Sequence, residues 1–481
     1  MDAMRPPAPQ LAAAMEHHRA GRLAEAERLY RLACAADPLN ARAVHLLGVV
    51  AHQLGRPDAV DLVARALALA PNVAEVHNDH GAILAAQGRF DEAAASFAQA
   101  VALKPDYVEA LGNLGAALGP RGRLDEAVAH FARALERAPN SAAPRLHLAM
   151  ALRQQGRLAE AAAHYEKVLA LHPDLVDAHV NLGALLQQLG RFDDALAHCE
   201  QAVALRPDAG GARNNLANVL RELGRLDEAL AQYDRALALD PKLAMAHYNR
   251  GLVLRRLGDI AQARAAFARA VALEPRLLEA GLAACMAELP VLYADEAEIA
   301  ERRAAYAARL VRLEAEVARA GTPAMLAEAI GSHQPFYLAY QGGNDRDLQA
   351  RYGALACRVM AARFAGPPLL TPPPLAGEPI RVGIVSAFFR QHSNWKIPIS
   401  GWLAGLDRKR FTLFGYHTAA ERDAQTDVAA SSCERFVRGP LPLAAWRETI
   451  LGDAPHVLLY PEIGMDKVTA QLAAQRLAPV Q

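Results

Sequence analysis

Two sets of side chains in this sequence are placed to do chemistry. The first is a column of polar residues that returns at one interval: Asp79, Asn113, Asn181, Asn215 and Asn249, with Leu46 and His147 at equivalent places. Asparagine is a mediocre helix former because its side chain competes for backbone hydrogen bonds, so its recurrence needs a reason. Each amide offers a donor and an acceptor, and a column of them can clamp an extended main chain whatever its sequence. The alternative is that these amides tie neighbouring helices together. The second set lies near the C-terminus: His392 in the polar loop SAFFRQHSNWK, then His417, then Pro461-Glu462-Ile463-Gly464. An imidazole at such a place acts as a general base, donates to a ligand oxygen, or merely bonds within its own loop. Glu462 reads equally well as a helix-start residue.

The elements that position the first set are repeats. Prolines fall at Pro38, Pro71, Pro105, Pro139, Pro173, Pro207, Pro241 and Pro275, spaced by 34 residues except for one interval of 33. Glycines keep step from Gly21 through Gly88 and Gly190 to Gly258. Between each glycine and the next proline runs a helical pattern with Ala93, Ala127, Ala161, Ala195 and Ala229, an aromatic four residues on at Phe97, Phe131, Tyr165 and Tyr233, and often a further alanine. Small and large side chains at i, i+4 and i+7 share one face, so two helices close tightly and the pairs stack. The unit VDAHVNLGALLQQLGRFDDALAHCEQAVALRP resembles the tetratricopeptide repeat, a helix-turn-helix of this length. About eight copies over residues 1–275 predict a solenoid in which each unit buries its apolar face against its neighbours and the stack presents a concave groove.

Bulk properties narrow the partners. The chain has 481 residues, zero formal net charge and 53% hydrophobic residues, the last inflated by alanine. Nothing in that balance points to nucleic acid or a membrane surface. Five cysteines are scattered without CxxC spacing, which argues for incidental thiols in a reducing compartment and against a metal site. The start MDAMRPPAPQ lacks the apolar run of a signal peptide, and no long apolar stretch follows, so a cytoplasmic protein is expected.

After Pro275 the repeat grammar stops. Residues 276–365 remain helical in pattern and are expected to cap the array and connect it onward. Within them His333, Phe336, Tyr337 and Tyr340 cluster beside Gly342-Gly343, either lining a site or docking the array onto the next domain. The proline-rich stretch 366–379 marks a linker. From Ile380, strand and helix patterns alternate, which predicts a parallel α/β lobe over 380–481. Ligands bind beyond the carboxyl ends of such strands, where the His392 loop, His417 and Glu462 fall. No GxGxxG or P-loop is present to cradle phosphate.

The combination of repeats with RVGIVSAFFRQHSNWK and the ending HVLLYPEIGMDKVTAQLAAQRLAPVQ resembles the protein O-GlcNAc transferase family, including its SPINDLY-like bacterial branch. The resemblance implies an α-solenoid followed by an incomplete Rossmann-like lobe of the GT-B type. It implies transfer of a sugar from a nucleotide sugar, UDP-GlcNAc first among them, to Ser or Thr of proteins held in the groove, without a metal. By the same likeness Asn113, Asn181, Asn215 and Asn249, with Asp79 as a departure, hold the acceptor, and His333 and His392 match the two histidines near the chemistry. An aspartate of the same loop is replaced here by Phe388. The family's donor-binding residues would lie beyond Gln481, so this chain is expected to be catalytically incomplete, with an open sheet edge that favours association or a homodimer. The competing expectation is a non-catalytic scaffold that binds extended peptides.

Overall fold

The computed structural model describes residues 9–320, 326–332, 335–364, 371–462 and 465–481. They form two compact units, Met1–Gly224 and Arg225–Gln481.

The first unit is made of antiparallel helix pairs. In one repeat, Val108–Leu118 packs on Leu124–Arg137, and in another Val176–Gln188 packs on Phe192–Leu205. The alanine and aromatic positions of the repeat are its core: Ala127, Phe131 and Ala134 are all buried, as are Ala161 and Tyr165. Close approach requires the glycine of the first helix, since a Cβ on Gly115 would stand 2.7 Å from the Phe131 ring. Between the helices the chain reverses through a left-handed residue, Gly190 at φ 74°, which only glycine adopts without strain. Side chains early in the first helix reach back to the repeat-ending proline: His77 donates to the Pro71 carbonyl at 2.8 Å, His179 to Pro173 at 2.9 Å and Arg213 to Pro207 at 2.9 Å. These bonds satisfy carbonyls of the turn between one repeat and the next.

The second unit begins with three more helices of repeat pattern, Leu226–Leu239, Ala244–Arg256 and Ile260–Leu273, followed by Leu278–Met286, Glu296–Ala320 and Arg346–Arg363. Tyr306, Leu310, Leu313, Leu355, Val359 and Met360 form one buried cluster. At its border Glu288, 1% exposed, accepts from Arg302 at 2.8 Å and from Arg309 at 2.7 Å, with Arg264 at 3.7 Å. A buried carboxylate is tolerated there because several cations surround it.

The lobe contains four parallel strands, β1 (Ile380–Ser386), β2 (Phe411–His417), β3 (Arg435–Arg438) and β4 (Val457–Leu459), in the order β3-β2-β1-β4. Helices cover both faces, which is why β1 is apolar and buried from Val382 to Val385. Val385, Tyr416, Trp446, Ile450 and Leu472 fill one side; Ile384, Phe389, Trp395, Ile399 and Leu413 fill the other. At the outer edge Val480 makes a parallel bridge to Val457. Helix-pair repeats followed by a small parallel lobe are the fold class that the periodicities predict. Of the proline-rich stretch, residues 366–370 lie outside the described residues.

Candidate functional site

The polar column does not behave as one set. Asn113 donates its amide to Asn78 Oδ1 at 3.0 Å, and Asn78 itself is buried and donates towards Glu109 at 3.3 Å. Asp79 accepts from His45 Nε2 at 2.7 Å. Around these residues the side chains tie one repeat to the next. Asn181 differs: it is half-buried, and its side-chain amide has no hydrogen-bond partner among the described residues. Asn215 is half-buried beside Asn214, whose amide approaches it at 3.5 Å. Asn249, in the second unit, is 5% exposed. The helix-tying role of Asn78 escaped the periodic reading because it sits one residue before the column. The doublets Asn78-Asp79 and Asn214-Asn215 were the available signal.

In the lobe, His392 sits in the loop after β1, with its ring stacked on Phe388 at 4.1 Å between centroids and 20° between planes. Its Nδ1 accepts from the Asn394 backbone N–H at 3.2 Å. In the neutral ring that assignment puts the proton on Nε2, which has no protein partner among the described residues, so the open edge is a donor. The loop is held from below. Asp423 caps the helix Ala424–Ser431 and accepts from Gln391 N–H at 2.7 Å; Thr426 donates to the Phe389 carbonyl at 2.6 Å; Trp395 donates to Gln425 at 2.9 Å. The bond from Gln391, first, keeps the Asp423 carboxyl below its usual range.

His417 ends β2 fully buried, with its ring nitrogens on the carbonyls of Ser386 at 3.3 Å and Glu421 at 2.8 Å. It braces the strand ends and offers no edge to a ligand. Glu462 is 1% exposed; its Oε1 accepts from Ala387 N–H at 2.5 Å, while its Oε2 is buried with no hydrogen-bond partner among the described residues. Burial, the largest cause, raises its pKa to about 7. Asn394 Nδ2 lies 3.8 Å from Met465 Sδ, so the His392 loop meets the segment after β4.

His333 lies outside the described residues. Its aromatic neighbours are in mutual contact, Phe336 with Tyr337 and Tyr340 at 5.7 Å each. Pro335 and Leu338 are buried, whereas Phe336 and Tyr337 line a cavity of about 520 Å³ with Arg255, Met286, Val291, Ser332 and Met465. Among the described residues no group of histidine, cysteine and carboxylate side chains could hold a metal ion, and no helix is long and apolar enough to cross a membrane.

Fold and site together define an array of helix pairs joined to a parallel α/β lobe with a histidine at the sheet's mouth. Models described as TPR repeat or tetratricopeptide repeat match residues 11–74, 78–142, 149–190, 176–209, 217–258 and 244–277. These matches together span more than half of the sequence, and the chain is a tetratricopeptide-repeat protein. No curated protein matches it. Among solved structures, it is similar to a Thermobaculum terrenum O-GlcNAc transferase mutant, with 22% identity and a TM-score of 0.38 over 64% of this chain and 49% of that one. It is similar to the Cut9 and Hcn1 hetero-tetramer of the APC/C, with 19% identity and a TM-score of 0.45 over 55% and 52% of the two chains. It is also similar to YrrB, a repeat protein described as having an unusual peptide-binding site, with 26% identity and a TM-score of 0.33 over 39% and 96%. The chain spans about half the length of the Thermobaculum enzyme.

Proposed function

We propose that this chain grips extended polypeptides through its repeats and that its lobe serves the transfer of a sugar from UDP-GlcNAc to their Ser or Thr hydroxyls. The observation that carries the reading is the presentation of His392. Its ring is fixed by stacking and by a backbone N–H on Nδ1, at the carboxyl end of a parallel strand, with a donor edge left open. In such a transfer the hydroxyl oxygen forms a bond to the anomeric carbon as the bond to the diphosphate breaks; the leaving group takes the electron pair, and the hydroxyl proton passes to a phosphate oxygen of the leaving group or to water. A donor aimed at an oxygen that gains negative charge favours that step. His392 therefore acts by donation and orientation, and Phe388, where the family carries an aspartate, supplies the surface that fixes the ring.

Asn181 favours a second reading in which the chain is a binding scaffold without catalysis. Calorimetric titration with UDP-GlcNAc and with Ser/Thr peptides, followed by mass measurement of the peptides, separates the two. Saturable donor binding with a sugar-sized mass gain that His392→Ala removes supports transfer. Peptide affinity with no donor binding leaves the scaffold.

A further inference from the structure

The 520 Å³ cavity of the second unit has a composition that the histidine chemistry does not use. Its walls include the apolar Ile260, Met286, Leu289 and Val291, the rings of Phe336 and Tyr337, and the polar Ser332. Among the described residues one cation faces it, Arg255, in the last turn of the helix Ala244–Arg256. Arg255 is half-buried and has no ion-pair partner among the described residues. The titratable neighbours that act on it are the phenols of Tyr248 and Tyr337, and burial pushes its pKa down from the usual arginine range. Three other arginines of this unit do meet carboxylates: Arg250 holds Asp234 at 2.6 Å, Arg303 holds Asp345 at 2.5 Å and Arg351 holds Glu314 at 2.8 Å. A cation withdrawn from water without a counter-charge is unfavourable unless an anion arrives.

The geometry selects among anions. A diphosphate needs several cationic donors, whereas among the described residues this cavity offers one guanidinium and no lysine, with the Ser332 and Tyr337 hydroxyls and an apolar remainder. A single carboxylate on a short aliphatic stem fits better: the fork of Arg255 takes the two oxygens and the methylenes lie on Met286 and Phe336. Met465, also on the wall, touches the His392 loop through Asn394, so a chain anchored here passes beside that loop.

On the reading that this protein grips polypeptide, we infer that the Arg255 cavity receives an acidic side chain, Asp or Glu, of the bound polypeptide and so sets its sequence preference. The test uses the full chain and fluorescein-labelled Ser/Ala/Glu peptides, each paired with its Gln counterpart, read by fluorescence anisotropy. The Glu peptide is expected to bind about tenfold more tightly than the Gln peptide, with Arg255→Gln abolishing the difference and Arg255→Lys restoring part of it. Circular dichroism melts of each variant separate loss of the cavity from loss of the fold. Equal affinity for the two peptides, or a preference that survives Arg255→Gln, overturns the assignment while leaving peptide binding standing. Binding of neither peptide overturns the polypeptide reading, and the assignment with it. Inorganic pyrophosphate displacing the Glu peptide at concentrations below that peptide's own Kd gives the cavity to phosphate and likewise overturns the proposal.

Discussion

His179 and His198, on the two helices of one repeat, place their Nδ1 atoms 3.0 Å apart. The Nε2 of His179 donates to the Pro173 carbonyl, so in the neutral pair His198 Nδ1 must supply the proton between them. Protonating both rings would set two donors against each other. Similar half-buried imidazoles recur at His80, His130 and His164, and burial, the largest cause in each, holds all of them and His198 below the usual histidine range.

A pH dependence follows for the repeats. The unfolded chain takes up protons near about pH 6.5, whereas the folded repeats take them up only at lower pH. Stability is therefore complete above that value and is lost as the pH falls towards the folded pKa values. Thermal melts by circular dichroism are expected to show a Tm several degrees lower at about pH 5 than at about pH 7.5. His198→Gln should shallow that slope, and a flat profile would contradict the assignment.

The lobe should respond in the opposite direction. The folded pKa of Glu462 is raised to about 7, above its unfolded value, so the contribution is whole in acid and is lost as pH rises through about 7. Glu462→Gln keeps an acceptor for the Ala387 N–H and cannot ionise. Denaturant melts at about pH 8, followed by the fluorescence of Trp395, Trp402 and Trp446, are expected to show the variant more stable than the parent, with the order reversed or level near pH 5.

Glu288 should be among the costliest single sites in the second unit. Truncation leaves Arg302 and Arg309 withdrawn from water without their shared counter-ion. Glu288→Ala is expected to cost about 3–5 kcal/mol, measured by urea denaturation. A cost under about 1 kcal/mol would mean that water already screens the cluster.

The amides should divide by role. Asn113→Ala removes a bond to buried Asn78 and is expected to cost about 1–3 kcal/mol of stability. Asn181→Ala breaks no bond among the described residues, so its effect should fall on peptide affinity, with the Tm nearly unchanged. If Asn181→Ala instead lowers the Tm as much as Asn113→Ala does, the division is wrong.

Much of this molecule was legible as periodicity. Ala127, Phe131 and Ala134 could be assigned to the buried face from spacing alone, because each repeat meets the same neighbour geometry and so asks for the same side-chain sizes. The run Ile380–Ser386 and the alternation after it declared a parallel sheet, because a strand covered on both faces has no polar side to show. Glu462 and His417 were visible only as residues near strand ends. Whether such a side chain faces solvent or folds inward depends on bonds to Ala387, Ser386 and Glu421, two of which lie at least 31 residues away.

The sequence by itself determined the repeat, its turns and the change of period at the lobe, because these follow from local conformational preference and from the burial of one face. Only the tertiary structure decided which polar groups are spent and which are open. Asn113 and Asn181 share a repeat position and a residue type, yet one amide meets Asn78 and the other meets none among the described residues. Arg255 and Arg250 lie on one helix, yet of the two only Arg250 finds a carboxylate among the described residues. A hydrogen bond needs its partner within about 3 Å, and that distance is set by how separate helices pack.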